Sequence, residues 1–303
     1  MAATSRRILA PHFPARLHDL EEPPAALYVR GELPRGPAVA IVGTRKPTSD
    51  ARRFTRELAR ELARAGVAIL SGGARGIDTS AHRGALLARG VTVVVAPAGF
   101  DCPFPQQNAR LFARIIERGG CYLSLVADDV AATRPSFFPR NACLVALSHA
   151  IVVVEAPWRS GARNAASVAR KLGRPLFVVP QAPWNARGRG CIEELRLGAR
   201  IVESAKDLLK QLAAANLHPL AGLDRSEPGT RRREGGAGSQ LALRLPVDDE
   251  ERVLRSIADG AAHPDEICAS TGLPAARVQG LVLTLTLKGA LVPAPDGRLR
   301  VVI

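Results

Sequence analysis

Short uninterrupted apolar runs recur along the first two-thirds of the chain, and between them apolar positions return every third or fourth residue. The runs are "VAIVG" (39–43), "VAIL" (67–70), "VTVVVA" (91–96), "YLSLV" (122–126), "AIVVVEA" (150–156) and "PLFVVP" (175–180). Their continuity, in place of apolar/polar alternation, predicts strands of a parallel sheet covered on both faces by helices. Helical spacing fills the gaps. In "SDARRFTRELARELARAG", Phe54, Leu58 and Leu62 share one face and Ser49 is the expected N-cap. Further helices are expected over 79–89, 106–118, 140–148, 162–172 and 190–198. The repeated β–α order predicts a doubly wound, Rossmann-like α/β domain over 38–215. Residues 1–37, rich in proline and leucine, read as an irregular lead-in packed on that domain.

The pattern breaks at 216–245, where Gly, Pro, Ser and charge mix without period and predict a flexible linker. It returns over 246–303. "DEERVLRSIADG", "PDEICASTG" and "PAARVQGLVLTLTLKG" predict three short helices, and "ALVPAPDGRLRVV" a hairpin turning at Asp296-Gly297. Three helices and a β-wing make a small winged-helix domain. Its third helix offers only Arg277, Gln279 and Lys288 as polar contacts, a weak basic face that suits protein contact or regulation better than DNA reading.

Charge adds a partner to this picture. Lys and Arg total 42 against 28 Asp and Glu, a formal charge of +14. Only five of the basic residues are lysine, as arginine-favouring codon usage would give, but codon usage does not explain the surplus of positive charge. The surplus predicts a polyanionic partner. The five cysteines (Cys102, Cys121, Cys143, Cys191, Cys268) are scattered without CxxC or metal spacing and read as buried reduced thiols. With no secretory leader pattern and no apolar run of membrane-spanning length, the expectation is a cytoplasmic protein with no membrane partner.

Three loops leave the carboxyl ends of predicted strands and carry the candidate chemistry. The first holds Gly43, Thr44, Arg45 and Lys46; the second, "SGGARGIDTS", holds Gly72, Gly73, Arg75 and Gly76; the third, "EAPWRSGARNAA", holds Ser160, Gly161 and Arg163. In an open α/β sheet such ends converge on one crevice, where glycine amides, helix N-termini and guanidinium groups form an anion site. Arg52, Arg56, Arg60 and Arg64 add a stripe on the first helix, partly neutralised by Glu57 and Glu61. "RPSFFPRN" places Phe137 and Phe138 between Arg134 and Arg140, the combination of ring and cation that binds single-stranded nucleic acid. One of the two rings is expected in the core and the other free.

Catalytic signatures are missing. There is no Walker A lysine, HExxH or GxSxG, and no acid pair. His82 reads as a structural hydrogen-bonding histidine and Asp78 as a helix cap. Asp101 and Glu155 are the best remaining acids but have no partner at a suitable spacing. No catalytic residue, metal or cofactor is expected.

"GTR", "SGGARGIDTSAHRGAL", "AGFDCPFPQQN", "FFPRN…LVALS" and "VVVEAPWRSGA…LGRPLFVVP" occur in the order and at the spacings of the DNA-processing protein A family (DprA, also called Smf), which the chain resembles over nearly its whole length. The resemblance implies an extended Rossmann fold that binds single-stranded DNA, forms homodimers and loads the recombinase RecA during natural transformation, without turnover. It also implies DNA contacts at Gly43, Thr44 and Arg45, around Arg75, and at Arg134, Phe137, Arg140 and Asn141, with arginines on phosphates and Phe137 stacked on a base. The chain departs from the family pattern at Ala142, Leu125 and Ile192, and in "SGARNAA", where Arg163 could replace a lost contact. A competing reading is a nucleotide-binding enzyme, such as a nucleoside monophosphate phosphoribohydrolase, with its glutamate shortened to Asp78.

Overall fold

The structure, a computed structural model, describes residues 5–214, 249–258, 263–287, 291–293 and 299–301. These fall into two compact units, one ending with the helix over Ala205–Ala214 and the other beginning at Asp249.

The larger unit is built on nine strands: β1 (Arg6–Ile8), β2 (Leu27–Gly31), β3 (Ala38–Val42), β4 (Ala68–Ser71), β5 (Thr92–Ala96), β6 (Cys121–Ser124), β7 (Ala150–Val153), β8 (Leu176–Val178) and β9 (Arg200–Ile201). They form one sheet in the order β1-β2-β6-β5-β4-β3-β7-β8-β9. From β6 to β9 all pairings are parallel. The chain moves outward from β3 through β4, β5 and β6, then returns to lay β7 on the other side of β3. The carboxyl ends of β3 and β7 therefore flank a topological switch point, the place where such sheets open a crevice.

Helices α1 (Ser49–Arg64), α2 (Ile77–Leu87), α3 (Ala109–Glu117), α4 (Phe137–Leu147), α5 (Gly161–Lys171), α6 (Arg189–Arg196) and α7 (Ala205–Ala214) complete the layers. Alternate strand residues supply the two cores, because successive side chains on a strand point to opposite faces. Val39 and Ile41 pack with Leu58 and Leu62 of α1, Ala81 and Ala85 of α2, and Leu208 and Leu212 of α7. Ala40 and Val42 pack with Leu144 of α4 and Ala165 and Ala169 of α5. The doubly wound reading holds.

Several local expectations change. The lead-in is not merely irregular: β2 pairs antiparallel with β6, and β1 with β2, so residues 6–31 extend the sheet. A 3-10 helix over Ala15–Asp19 buries Leu17 completely. Thr48, not Ser49, caps α1, its Oγ1 accepting the Ala51 N–H at 3.2 Å. Strand β9 and helix α7 continue the domain past the last predicted helix. Cys121, Cys143 and Cys191 are buried, with thiols that burial pushes up to about 12, whereas Cys102 and Cys268 are half-buried.

In the smaller unit α8 (Asp249–Ala258), α9 (Pro264–Thr271) and α10 (Ala275–Leu287) are followed by β10 (Leu291–Pro293) and β11 (Leu299–Val301), which pair antiparallel. Val253, Ile257, Ile267, Val278, Leu281, Leu285 and Leu291 form its core. Three helices and a two-stranded wing are the predicted winged helix. Arg277 on α10 is held by Asp249 of α8 at 3.1 Å. The predicted linker (216–245), Lys288 and the Asp296-Gly297 turn lie outside the described residues.

A cationic cleft at the switch point

The loops after β3, β4 and β7 meet above the sheet and are stitched together by backbone. Thr44 donates its N–H to the Glu155 carbonyl (2.6 Å), and its own carbonyl accepts from Ile77 N–H (3.2 Å). Gly76 makes the second contact possible. It has φ +85°, and a Cβ there would stand 2.4 Å from the Thr44 carbonyl oxygen, so neither the conformation nor the space admits a side chain. Glu155, fully buried at the end of β7, accepts the Thr48 N–H at 2.9 Å and the Asn185 side-chain amide at 3.0 Å. One carboxylate thus holds the first turn of α1 and the loop before α6, and the α1 N-terminus offsets its charge.

The result is a cleft of about 490 Å³. Gly43, Thr44, Arg45 and Lys46 line it from the first loop, Gly72 from the second, Phe137, Arg140 and Asn141 from α4, and Ser160 and Gly161 from the start of α5. Arg45 and Lys46 are exposed. The Arg45 guanidinium stands 5.4 Å from the centre of the Phe137 ring, and Phe104 meets that ring edge-on at 5.5 Å and 82°. Asn141 donates to the Gly161 carbonyl (3.3 Å) and to Asn164 Oδ1 (3.0 Å), and Ser160 Oγ caps α5. Both fix the α5 N-terminus, whose first residues Gly161 and Ala162 line the same space.

Not every candidate joins the cleft. Arg75 and Gly76 line a neighbouring groove that shares Arg45 with it. Gly73 is buried, its carbonyl held by Asn108 Nδ2 at 2.9 Å. Arg134 is exposed, ahead of α4 and apart from the cleft wall. Of the two phenylalanines Phe138 is the exposed one, at 63%, while Phe137 is half-buried yet reaches the cleft.

Two arginines have other duties. Arg140 is only 5% exposed, and its Nη1 donates to the carbonyls of Gly72 and Val95. Burial holds its guanidinium below the usual range, opposed by the nearby Asp78 carboxylate. Through Nη1 it ties β4, β5 and α4 together, and its side chain also lines the cleft. Arg163 donates to the fully buried Glu194 at 2.7 Å, a carboxylate it shares with Arg170, and its side chain covers Trp158. It stands at the start of α5 as an ion-paired cation.

The acids are also placed. Asp78 is buried and accepts the Ala74 N–H at 3.1 Å, closing the glycine turn from within, while Gly76 is the N-cap of α2. Burial raises its carboxyl above the usual range, against the pull of Arg140. Asp101 is exposed and paired with Arg30 at 3.0 Å. His82 is buried with Nδ1 on Thr92 Oγ1 at 2.8 Å, away from the cleft. Among the described residues no three His, Cys, Asp or Glu side chains gather as metal ligands, and no helix is long and apolar enough to cross a membrane.

Sequence reasoning missed Phe104, Arg187 and the pair Glu155–Asn185 as parts of this site. It also passed over Trp184, 88% exposed on the loop leading to Arg187, and Trp158, 47% exposed beside Arg159. A solitary tryptophan in a polar loop is a usable signal, because solvent exposure of so large a ring is costly unless something covers it.

Sheet order and switch-point position define a doubly wound α/β protein with a cation-rimmed cleft between the ends of β3 and β7. Residues 6–213 match the family model described as DNA recombination-mediator protein A, and residues 239–297 the DprA winged helix domain. The chain belongs to the DNA recombination-mediator protein A family. Among curated relatives, a putative DNA processing protein DprA of Mycobacterium tuberculosis is 38% identical over 87% of this chain, and protein Smf of Synechocystis 32% over 95%. This chain spans 64% of the length of the Mycobacterium protein and 77% of the Synechocystis one. DNA processing protein A of Streptococcus pneumoniae superposes with a TM-score of 0.64 at 29% identity, covering 68% of this chain and 74% of that one. The Helicobacter pylori protein, solved for its single-stranded DNA binding mode, gives 0.63 at 31%, covering 70% and 97%.

Proposed function

We propose that the cleft binds single-stranded DNA, largely without regard to sequence, and leaves it chemically intact. The observation that carries this reading is the placement of Arg45 against Phe137. A base stacked on an aromatic ring presents its phosphate to a guanidinium beside it, and sequence is irrelevant because every base has a flat face. Lys46 and the α5 N-terminus supply further positive potential to the same backbone. The Helicobacter relative, described as binding single-stranded DNA, supports the same assignment.

On this reading the protein guards incoming DNA, passes it to a RecA recombinase in transformation, and acts as a homodimer. The recombination-mediator family description supports the handover. The tie between Arg277 and Asp249 supports a protein-facing winged helix, since it draws a cation of α10 away from nucleic acid. Assembly of RecA on oligonucleotides coated with a single-strand-binding protein, with and without this chain, tests the handover; sedimentation tests the dimer.

The binding reading is tested by fluorescence anisotropy with single-stranded oligonucleotides of different sequence. Affinity should fall linearly with the logarithm of salt, with a slope of about 0.7 per phosphate contacted, and Arg45→Ala should weaken it. Unchanged affinity in that variant would sink the cleft assignment. The hydrolase alternative requires a carboxylate reaching a sugar; Asp78 borders the cleft, but it is 6% exposed and its Oδ2 already accepts the Ala74 N–H. Release of free base from nucleoside monophosphates would restore that alternative.

A further inference from the structure

A second cationic groove, of about 320 Å³, lies where α1, α2 and the 3-10 turn over Gln106–Asn108 meet. Arg52 and Arg56 of α1, Arg75 of the glycine turn and Arg83 of α2 line it. Its geometry comes from packing. A Cβ on Gly84 would stand 2.3 Å from the Arg56 carbonyl oxygen, so α1 and α2 touch backbone to backbone and Arg56 is drawn beside Arg83.

Neutralisation is withheld from these side chains. On α1 Asp50 pairs with Arg53 and Glu57 with Arg60, each at i,i+3. Among the described residues Arg52, Arg56, Arg75 and Arg83 have no carboxylate within ion-pair distance, and all four are exposed. Arg52 and Arg56 also repel each other at i,i+4. The arginine stripe of α1 is thereby split: Arg60 is satisfied within the helix, while Arg52 and Arg56 join a groove built by three segments. An external anion is what this arrangement lacks.

Two features say which anion. Arg45 lines both this groove and the cleft, making them continuous. Past Arg56 and Arg83 the surface runs into a depression whose floor is Leu86, Leu87 and Leu111, with Leu87 63% exposed, and whose rim includes Arg110 and Arg114. An apolar floor between cationic rims suits unpaired bases; a duplex keeps its bases inside.

We propose that the groove between α1 and α2 carries the continuation of the single strand held in the cleft, so that the strand crosses Arg45 and runs over Arg52, Arg75, Arg56 and Arg83 towards Leu87. The inference rests on the cleft being a single-strand site. Its test is anisotropy with oligonucleotides of about 6 and about 25 nucleotides, the first near the short end of common single-strand sites and the second beyond their long end. The full chain is compared with Arg56→Gln/Arg83→Gln and with Arg45→Ala, each checked for an unchanged melting curve.

The double variant should bind the long oligonucleotide about tenfold more weakly, with a salt slope shallower by about 1.4 for two lost phosphates, and the short one as before. Arg45→Ala should weaken both lengths. Long-strand affinity and slope unchanged in the double variant, with Arg45→Ala still defective, would overturn the groove and leave the cleft standing. A loss confined to duplex DNA would overturn it equally. No effect of Arg45→Ala on either length would remove the cleft reading, and the groove with it.

Discussion

Glu155 accepts the backbone N–H of Thr48 at 2.9 Å, which ties the end of β7 to the first turn of α1 across the switch point. The same carboxylate accepts the Asn185 amide at 3.0 Å, so the cleft's rim is held by an acid that never reaches its surface. In Glu155→Gln one of the two donors would face an NH2 group. Leaving a buried donor unpaired costs about 1–3 kcal/mol. Denaturant unfolding should show a loss of that size, accompanied by weaker oligonucleotide binding as the loop carrying Arg45 loosens.

Arg140 and Arg45 should behave oppositely although both border the cleft. Removing Arg140 leaves the buried Gly72 and Val95 carbonyls without the Nη1 donor. Each buried group left unpaired costs about 1–3 kcal/mol. Arg140→Ala should therefore lower the melting temperature sharply. Arg45→Ala should leave melting unchanged and reduce affinity, the salt slope falling by about 0.7. Calorimetry and anisotropy on the same samples separate the two.

Phe137→Ala should weaken single-strand binding by about 1–3 kcal/mol, the worth of one stacked base. Trp184→Ala tests whether the exposed ring near Arg187 contributes a second stacking face. Quenching of Trp184 fluorescence on adding oligonucleotide should disappear in that variant.

Acid stability depends on His82. Burial lowers its imidazole to about 3, and with the Thr92 hydroxyl already donating to the Ile69 carbonyl, the His82 Nδ1–H is the donor to Thr92. Protonation would add an N–H at Nε2, which has no partner. Above pH 6.5 the ring is neutral folded and unfolded, and the contribution is fully present. As pH falls from about 6.5 towards about 3, only the unfolded chain takes the proton, so stability drops by up to about 1.4 kcal/mol per pH unit. Unfolding curves across that range should be steeper in pH for the parent chain than for His82→Leu, and their difference isolates this residue.

The central strands were legible because burial on both faces leaves unbroken apolar runs, and the three strand-end loops because glycine, cation and helix start coincide there. β1 was not: "RRI" is a short edge strand with two exposed arginines, held through its pairing with β2 and carrying no periodic signal. α7 did carry one, since Leu208 and Leu212 sit one helical turn apart on the core side, and the reading passed over it. The structural bonds of Arg140 were not legible for a deeper reason. Whether an arginine meets a phosphate or a carbonyl depends on residues 68 and 45 positions away, which adjacency in sequence does not reveal.

The most direct test of the central claim is photocrosslinking of single-stranded DNA carrying 5-iodouracil to the full chain, with the modified peptides read by mass spectrometry. The account predicts crosslinks at Phe137 and Phe104, lost when excess unlabelled single strand competes. Crosslinks confined to residues 249–303, with the loops around Arg45 and Phe137 untouched, would contradict it.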